Sequence, residues 1–251
     1  MMEQLQHKLK LCRLPGIQDS YERITEEAKE KGWSLSQYFE ALLDEEIINR
    51  QNHRFNRLLK QAKFPTQKTM DQFDFTKAPY LKKTEIMELY TCQFIENNTN
   101  VIFLGSPGTG KSHITIALGI EACRQGKSVA FYTAANLGNA LLEMQEERQL
   151  SKFIDKLKKV DLLIIDELGY VKISNSTSQL MFQIFSERYE KGSILVNTNL
   201  EFAEWASIFH DDRMTSAILD RLIHNSKIFT FNGESYRYRA QKECQLNISL
   251  Q

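Results

Sequence analysis

Between residues 101 and 231 the chain alternates short, mainly apolar runs with longer stretches of helical periodicity. The runs fall at 101–104, 128–132, 162–165, 194–197 and 228–231. Runs this continuous suit strands covered on both faces, and strands alternating with helices imply a parallel sheet. Five such strands with crossover helices predict a three-layer α/β domain of about 150 residues. Upstream the rhythm is helical. Leu5, Leu9 and Cys12 recur at helical spacing before a turn at Leu14, Pro15 and Gly16. A second helix is predicted from about Asp19 to Lys31, stopped by Gly32. Ser34 followed by Gln37 forms a capping-box signature. The helix it opens places Leu35, Tyr38, Phe39 and Leu42 on one face, then Phe55, Leu58, Leu59 and Ala62, with Pro65 as its stop. The pattern divides the chain into a small all-helical domain at 1–65, a connector with the first helix of the core at 66–100, and an α/β domain at 101–251. Repeats and low-complexity tracts are absent.

The first α/β strand leads into Gly105-Ser106-Pro107-Gly108-Thr109-Gly110-Lys111-Ser112, which matches G-x-x-x-x-G-K-[ST] in the strand-then-helix setting that motif requires. Glycines let the backbone wrap with its N–H groups inward, a nest for phosphate oxygens. The helix starting near Lys111 adds the positive end of its dipole. Lys111 reaches the β- and γ-phosphates, and Ser112 offers its hydroxyl to magnesium. His113 is read as an ordinary helix-facing residue.

The run at 162–165 ends in Asp166 and Glu167, at the carboxyl edge where ligands bind in such sheets. Asp166 is placed to hold magnesium and Glu167 to polarise a water for in-line attack on the γ-phosphate. That glutamate points to an ATPase, and no N-K-x-D segment for reading guanine occurs. The next strand ends in two amides. Asn199, with Asn197 as the alternative, is the candidate for a bond to the γ-phosphate or the attacking water. Arg221 precedes the last strand and is the candidate arginine finger toward a neighbouring subunit, with Arg213 in reserve.

GSPGTGKSH, LLIIDELGY, NTNLEFAEW, LDRLIHNS and NGESYR, in this order, resemble the IstB-like branch of the AAA+ ATPases. These are ATP-binding helpers of insertion-sequence transposition, related to the helicase loaders DnaC and DnaI. The resemblance covers about 70–240. It implies an AAA+ P-loop NTPase core without a full C-terminal lid, which fits the roughly twenty residues after the last strand. It also implies ATP and magnesium at subunit interfaces, with the loop, Asp166, Glu167, the sensor asparagine and Arg221 forming the site. Arg237 is a guess for a second sensor. The partners implied are duplex DNA, a transposase and further copies of the chain in a ring or helical oligomer. A helicase loader is the alternative, and a scaffold that binds ATP without turnover a third possibility.

Charge refines the DNA expectation. Lys+Arg and Asp+Glu balance at 32 each, so a nucleic-acid surface must be local. Arg50, Arg54 and Arg57 fall on one helix face, followed by Lys60, Lys63 and Lys68 with no acid between. Lys152, Lys156, Lys158 and Lys159 form a second cluster before the Asp-Glu strand. No base-reading motif is present, so backbone contact with little sequence preference is expected. Four scattered cysteines without a CxxC argue against zinc knuckles and disulfides, and no apolar run suits a bilayer or a signal peptide. These features predict a reduced, cytoplasmic, membrane-free protein.

Overall fold

The computed structural model describes residues 2–236. The chain separates into two compact units, one up to Arg57 and one from Leu58 on. The first unit contains α1 (Met2–Leu11), α2 (Pro15–Lys31) and most of α3 (Leu35–Ala62). Leu9, Ile17, Ile24 and Leu42 form its core, with Trp33 and Tyr38 packed on it. α2 begins at Pro15 rather than near Asp19. Proline presets the dihedral of a first helical turn without losing a needed donor. The N–H groups of Gly16 and Ile17 then find the buried Glu46 carboxylate at 2.7 and 3.3 Å. Burial alone would push that carboxyl up, but the Arg50 hydrogen bond and the two backbone donors outweigh it and hold Glu46 below its ordinary value.

Ser34 and Gln37 form the expected reciprocal cap. Leu35 and Phe39, expected on the core face, are instead 88% and 60% exposed. Two adjacent apolar rows run along α3, and a three-helix unit covers only one. Tyr38 and Leu42 take the covered row, with Tyr38 Oη 2.8 Å from Thr25 Oγ1. Leu35, Phe39, Leu43 and Ile47 make an exposed ridge at four-residue spacing.

In the second unit two 3₁₀ turns (Met70–Gln72 and Phe75–Lys77) precede α4 (Lys83–Tyr90) and α5 (Gln93–Glu96). The α/β succession follows as β1 (Asn100–Gly105), α6 (Lys111–Arg124), β2 (Val129–Thr133), α7 (Ala134–Glu146) and α8 (Leu150–Lys159). It continues with β3 (Leu162–Leu168), α9 (Asn175–Arg188), β4 (Ser193–Thr198), α10 (Ala206–Phe209), α11 (Asp212–Ile223) and β5 (Ser226–Phe231). All pairings are parallel, in the order β2-β3-β4-β1-β5. This is the five-stranded parallel α/β architecture that the apolar runs predicted, and it is the fold of a P-loop NTPase, as the loop motif and the resemblance implied. Leu162, Leu163, Ile164 and Ile165 are all fully buried because both faces of β3 are covered. Leu163, Ile165, Ile194 and Val196 join the core closed by α7, α9, α10 and α11. α6 packs on β2, β3 and β4 through a face that buries Ile114, Leu118 and Ala122.

Side chains staple the amino ends of the strands. Arg188, 1% exposed, donates to the carbonyls of Leu157, Val160, Asp161 and Ser193 at 2.5–3.3 Å. Burial pulls its guanidinium down to about 10, with Asp161 acting in the opposite direction. Asn100 donates to Leu222 O and accepts from the N–H of Ile194.

Arg188→Met keeps the bulk but strips four carbonyls of a donor, two of them in buried hydrogen bonds. Stability should fall by about 3 kcal/mol or more, read as a lower urea midpoint in circular dichroism; an unchanged midpoint would mean the staple contributes nothing. The thiols of Cys92 and Cys123 are both raised to about 12, chiefly by burial. Being raised, they are protonated throughout the physiological range, with about one thiolate in ten thousand at pH 8. Alkylation at pH 8 with peptide mapping should label the exposed Cys12 and reach these two only after denaturant is added.

Candidate nucleotide site

β4 lies between β1 and β3, so the sheet order gathers the loop after β1 and the ends of β3 and β4 at one edge. The loop 105–110 runs from β1 into the first turn of α6. Gly110 has φ 102°, and a Cβ there would lie 2.6 Å from the Phe73 ring, so this position needs glycine for both reasons. Lys111, 6% exposed, folds back and donates to Gly105 O at 2.6 Å and Ser106 O at 2.8 Å. Burial brings its ammonium down to about 8, and Asp166 partly offsets that.

The buried Asp166 is the meeting point of three elements. Its Oδ1 accepts from Ser112 Oγ at 3.1 Å, from Asn197 Nδ2 at 2.9 Å and from the N–H of Glu167 at 2.9 Å. Thr115 Oγ1, one turn along α6 from Ser112, donates to Asn197 Oδ1 at 2.9 Å. Between Ile165 and Leu168 the β3–β4 register slips, so that three steps along β3 match the two from Val196 to Thr198. The extra residue is a bulge, and it falls on the acidic pair. Glu167 there has φ 61°, sparsely populated for a residue with a side chain, and it is exposed among the residues that line the open cavity.

That cavity holds about 1180 Å³. The loop, Asp166, Glu167, Asn197 and Tyr170 line one part of it. The connector supplies another wall through Lys68, Phe73, Lys77 and Tyr80. His113, whose Nε2 is 2.9 Å from Thr69 O, packs edge-on against Phe73 and so helps seat this wall. The paired hydroxyl and carboxylate oxygens of Ser112 and Asp166 are the hard donors magnesium prefers, so these residues fit that ion.

Other expected site residues lie elsewhere. Asn199 follows the end of β4 and is not among the cavity residues, whereas Asn197 is. The Oδ1 of Asn199 is buried with no hydrogen-bond partner among the described residues. The geometry thus favours the reserve asparagine over the first choice. Arg221, in the last turn of α11, bonds Ala217 O and lies 5.2 Å from the Phe182 ring, outside the cavity of its own chain. Arg213 is exposed in the first turn of the same helix. Arg237 lies outside the described residues.

The basic residues divide as well. Arg50 is held by Glu46 at 2.7 Å and Arg13 O at 3.0 Å, so it is a structural pair as much as a surface charge. Arg54, Arg57 and Lys60 are exposed on α3. Lys63, expected within the helix that Pro65 would stop, lies outside it. α3 has ended at Ala62, and Lys63 sits at φ 59° among the cavity residues. On α8, Lys152, Lys156 and Lys159 are exposed, while Lys158 pairs with Glu187 at 2.8 Å. Sequence reasoning missed Thr115 and the aromatic wall. The one available signal was the density of Phe73, Phe75 and Tyr80 in a segment read only as a connector.

A parallel sheet with a phosphate loop at its edge, opposite an acidic strand end, defines an AAA+-type P-loop nucleotide-binding protein. The chain belongs to the IstB-like ATP-binding protein family, whose model matches residues 7–244. It is 37% identical over 242 residues to an ATP-binding protein of insertion sequence IS5376 from Geobacillus stearothermophilus, covering 96% of each chain. Among solved structures it resembles the DnaC helicase loader, with TM-score 0.51 and 21% identity over 70% of this chain and 98% of that one. It also resembles AMPPCP-bound DnaA from Aquifex aeolicus, with TM-score 0.53 and 23% identity over 73% of this chain and 56% of that one. At these identities the two structures speak to the fold. Among the described residues no helix is long and apolar enough to cross a membrane.

Proposed function

We propose that this chain is an ATP-hydrolysing helper of DNA transposition that assembles on duplex DNA and engages a transposase. The observation that carries the reading is the meeting of Lys111, Ser112, Asp166 and Asn197 at the edge of the sheet, in a chain that matches an insertion-sequence ATP-binding protein over nearly its whole length. Lys111 would leave the loop carbonyls for the phosphates. Ser112 and Asp166 would hold magnesium, which neutralises phosphate charge. Glu167, held by the bulge on the open side of the cavity, would orient and deprotonate the attacking water. Asn197 would orient Asp166 and face the γ-phosphate.

Arg221, outside its own cavity, would complete the site of a neighbouring copy, so that ATP joins subunits. Assembly would place the exposed lysines and arginines of many copies along one duplex, which lets modest contacts add up without a basic monomer. Hydrolysis would then loosen the assembly. The helicase-loader alternative rests on likeness of fold, since DnaC matches at 21% identity, while the insertion-sequence relative matches at 37%.

Lys111→Ala should abolish ATP-dependent assembly on duplex DNA in sedimentation. Glu167→Gln should assemble, persist, and release phosphate at least a hundredfold more slowly. Two variants that both behave as the parent with and without ATP would break the coupling. Asn197→Ala should slow phosphate release about tenfold or more, and Asn199→Ala by much less, each checked for an unchanged Tm. The reverse order would restore Asn199 as the sensor.

A further inference from the structure

Four carbonyls of the phosphate loop are held by groups from outside its own backbone turn or by its own side chains. Gly105 O and Ser106 O accept from Lys111 Nζ, and Ser106 O also accepts from Thr109 Oγ1 at 2.8 Å. Two further holders come from distant parts of the chain. Tyr80 Oη donates to Thr109 O at 2.9 Å. The main-chain N–H of Tyr236, beyond β5, donates to Gly108 O at 2.8 Å.

In a planar trans peptide the carbonyl of one residue and the N–H of the next point in opposite directions. Holding Gly108 O outward therefore aims the N–H of Thr109 inward. Holding Thr109 O outward does the same for the N–H of Gly110. Inward N–H groups are what a phosphate oxygen meets in such a nest. Lys111 is a poor permanent holder, because its ammonium is the group that must turn to the phosphates. Tyr80 and Tyr236 have no such second task.

The approach at Gly108 is tight. It has φ 78°, and a Cβ there would lie 2.2 Å from Ser235 Oγ, so the segment after β5 presses directly on the loop. The Tyr80 ring is fixed independently of its hydroxyl, edge-on to Phe231 at 6.2 Å between centroids.

We propose that the Tyr80 hydroxyl and the Tyr236 N–H are positioning groups for the polyphosphate part of a nucleotide, acting through the Thr109 and Gly110 peptides and not on base or ribose. The inference rests on the reading of the loop as a nucleotide site. It makes phosphate affinity depend on two chain segments that flank the α/β succession, one before β1 and one after β5.

Tyr80→Phe removes one oxygen and keeps the ring. Calorimetric titration of the full chain with ATP, ADP and AMP should show ATP and ADP weakened about tenfold, AMP little changed, and Tm as in the parent. Equal loss for all three nucleotides, or no loss for ADP, would overturn the proposal. A second pair guards against misfolding of that variant. Tyr236→Ala and Tyr236→Pro both lose the ring, but only proline loses the N–H. Tyr236→Pro should bind ADP about tenfold more weakly than Tyr236→Ala, and equal affinities would overturn the role of the N–H. A parent chain that bound no ATP would instead overturn the nucleotide reading itself.

Discussion

One carboxylate oxygen organises the site. Oδ1 of Asp166 takes a hydroxyl from α6, an amide from β4 and a backbone N–H from its own strand, all within 3.1 Å. Those donors come from positions 54 and 31 residues away and from the next residue. They converge because β4 is inserted between β1 and β3, which brings the start of α6 over the ends of both neighbours. A buried carboxylate is tolerated where its lone pairs are satisfied, and the same satisfaction fixes its orientation. The bulge follows from the same place. With Asp166 turned in toward Asn197, the extra residue of β3 is Glu167, at the open side. Adjacent acids thus acquire different surroundings, Asp166 buried and Glu167 exposed, along the same cavity.

Much of this was legible because the signals are local. Apolar runs located all five strands; the inner ones, covered on both faces, leave little polar alternation to confuse the reading, whereas β5 is partly exposed. Glycine spacing before Lys111 fixed the loop, and the carboxylates after Ile165 fixed the opposite wall. Where the structure places a residue differently, the deciding fact is long-range. Which of Asn197 and Asn199 faces the cavity depends on strand register and on a bulge in a neighbouring strand, and neither is written in the segment that contains them. Lys63 looked like one more charge on a helix because a left-handed residue directs it elsewhere. Leu35 and Phe39 share apolar character with Tyr38 and Leu42, and only the partner helices decide which row is covered. The start of α2 was hidden because its donors are met by Glu46, far along the chain.

The charge pattern changes meaning in the same way. A count of lysines and arginines suggested two basic patches. Arg50 and Lys158 turn out to be engaged with carboxylates, and Lys63 and Lys68 border the nucleotide cavity. What is left outward on α3 and α8 is a thinner set of charges on a chain of zero formal net charge. Exposed single charges contribute little each under physiological screening. Under the proposed function, a grip on a polyanion built from them would have to come from number, and so from assembly.

The staples described at the amino ends of the strands have a mechanical consequence. Arg188 and Asn100 bind β1, β3 and β4 to their surroundings at that rim, leaving it few ways to yield. The opposite rim holds the strained Glu167, the glycine loop and the cavity. The two rims are thus braced in different ways: Arg188 and Asn100 hold carbonyls and an N–H at one, while at the other the Asp166 hydrogen bonds tie β3 to β4 and α6 beside open space.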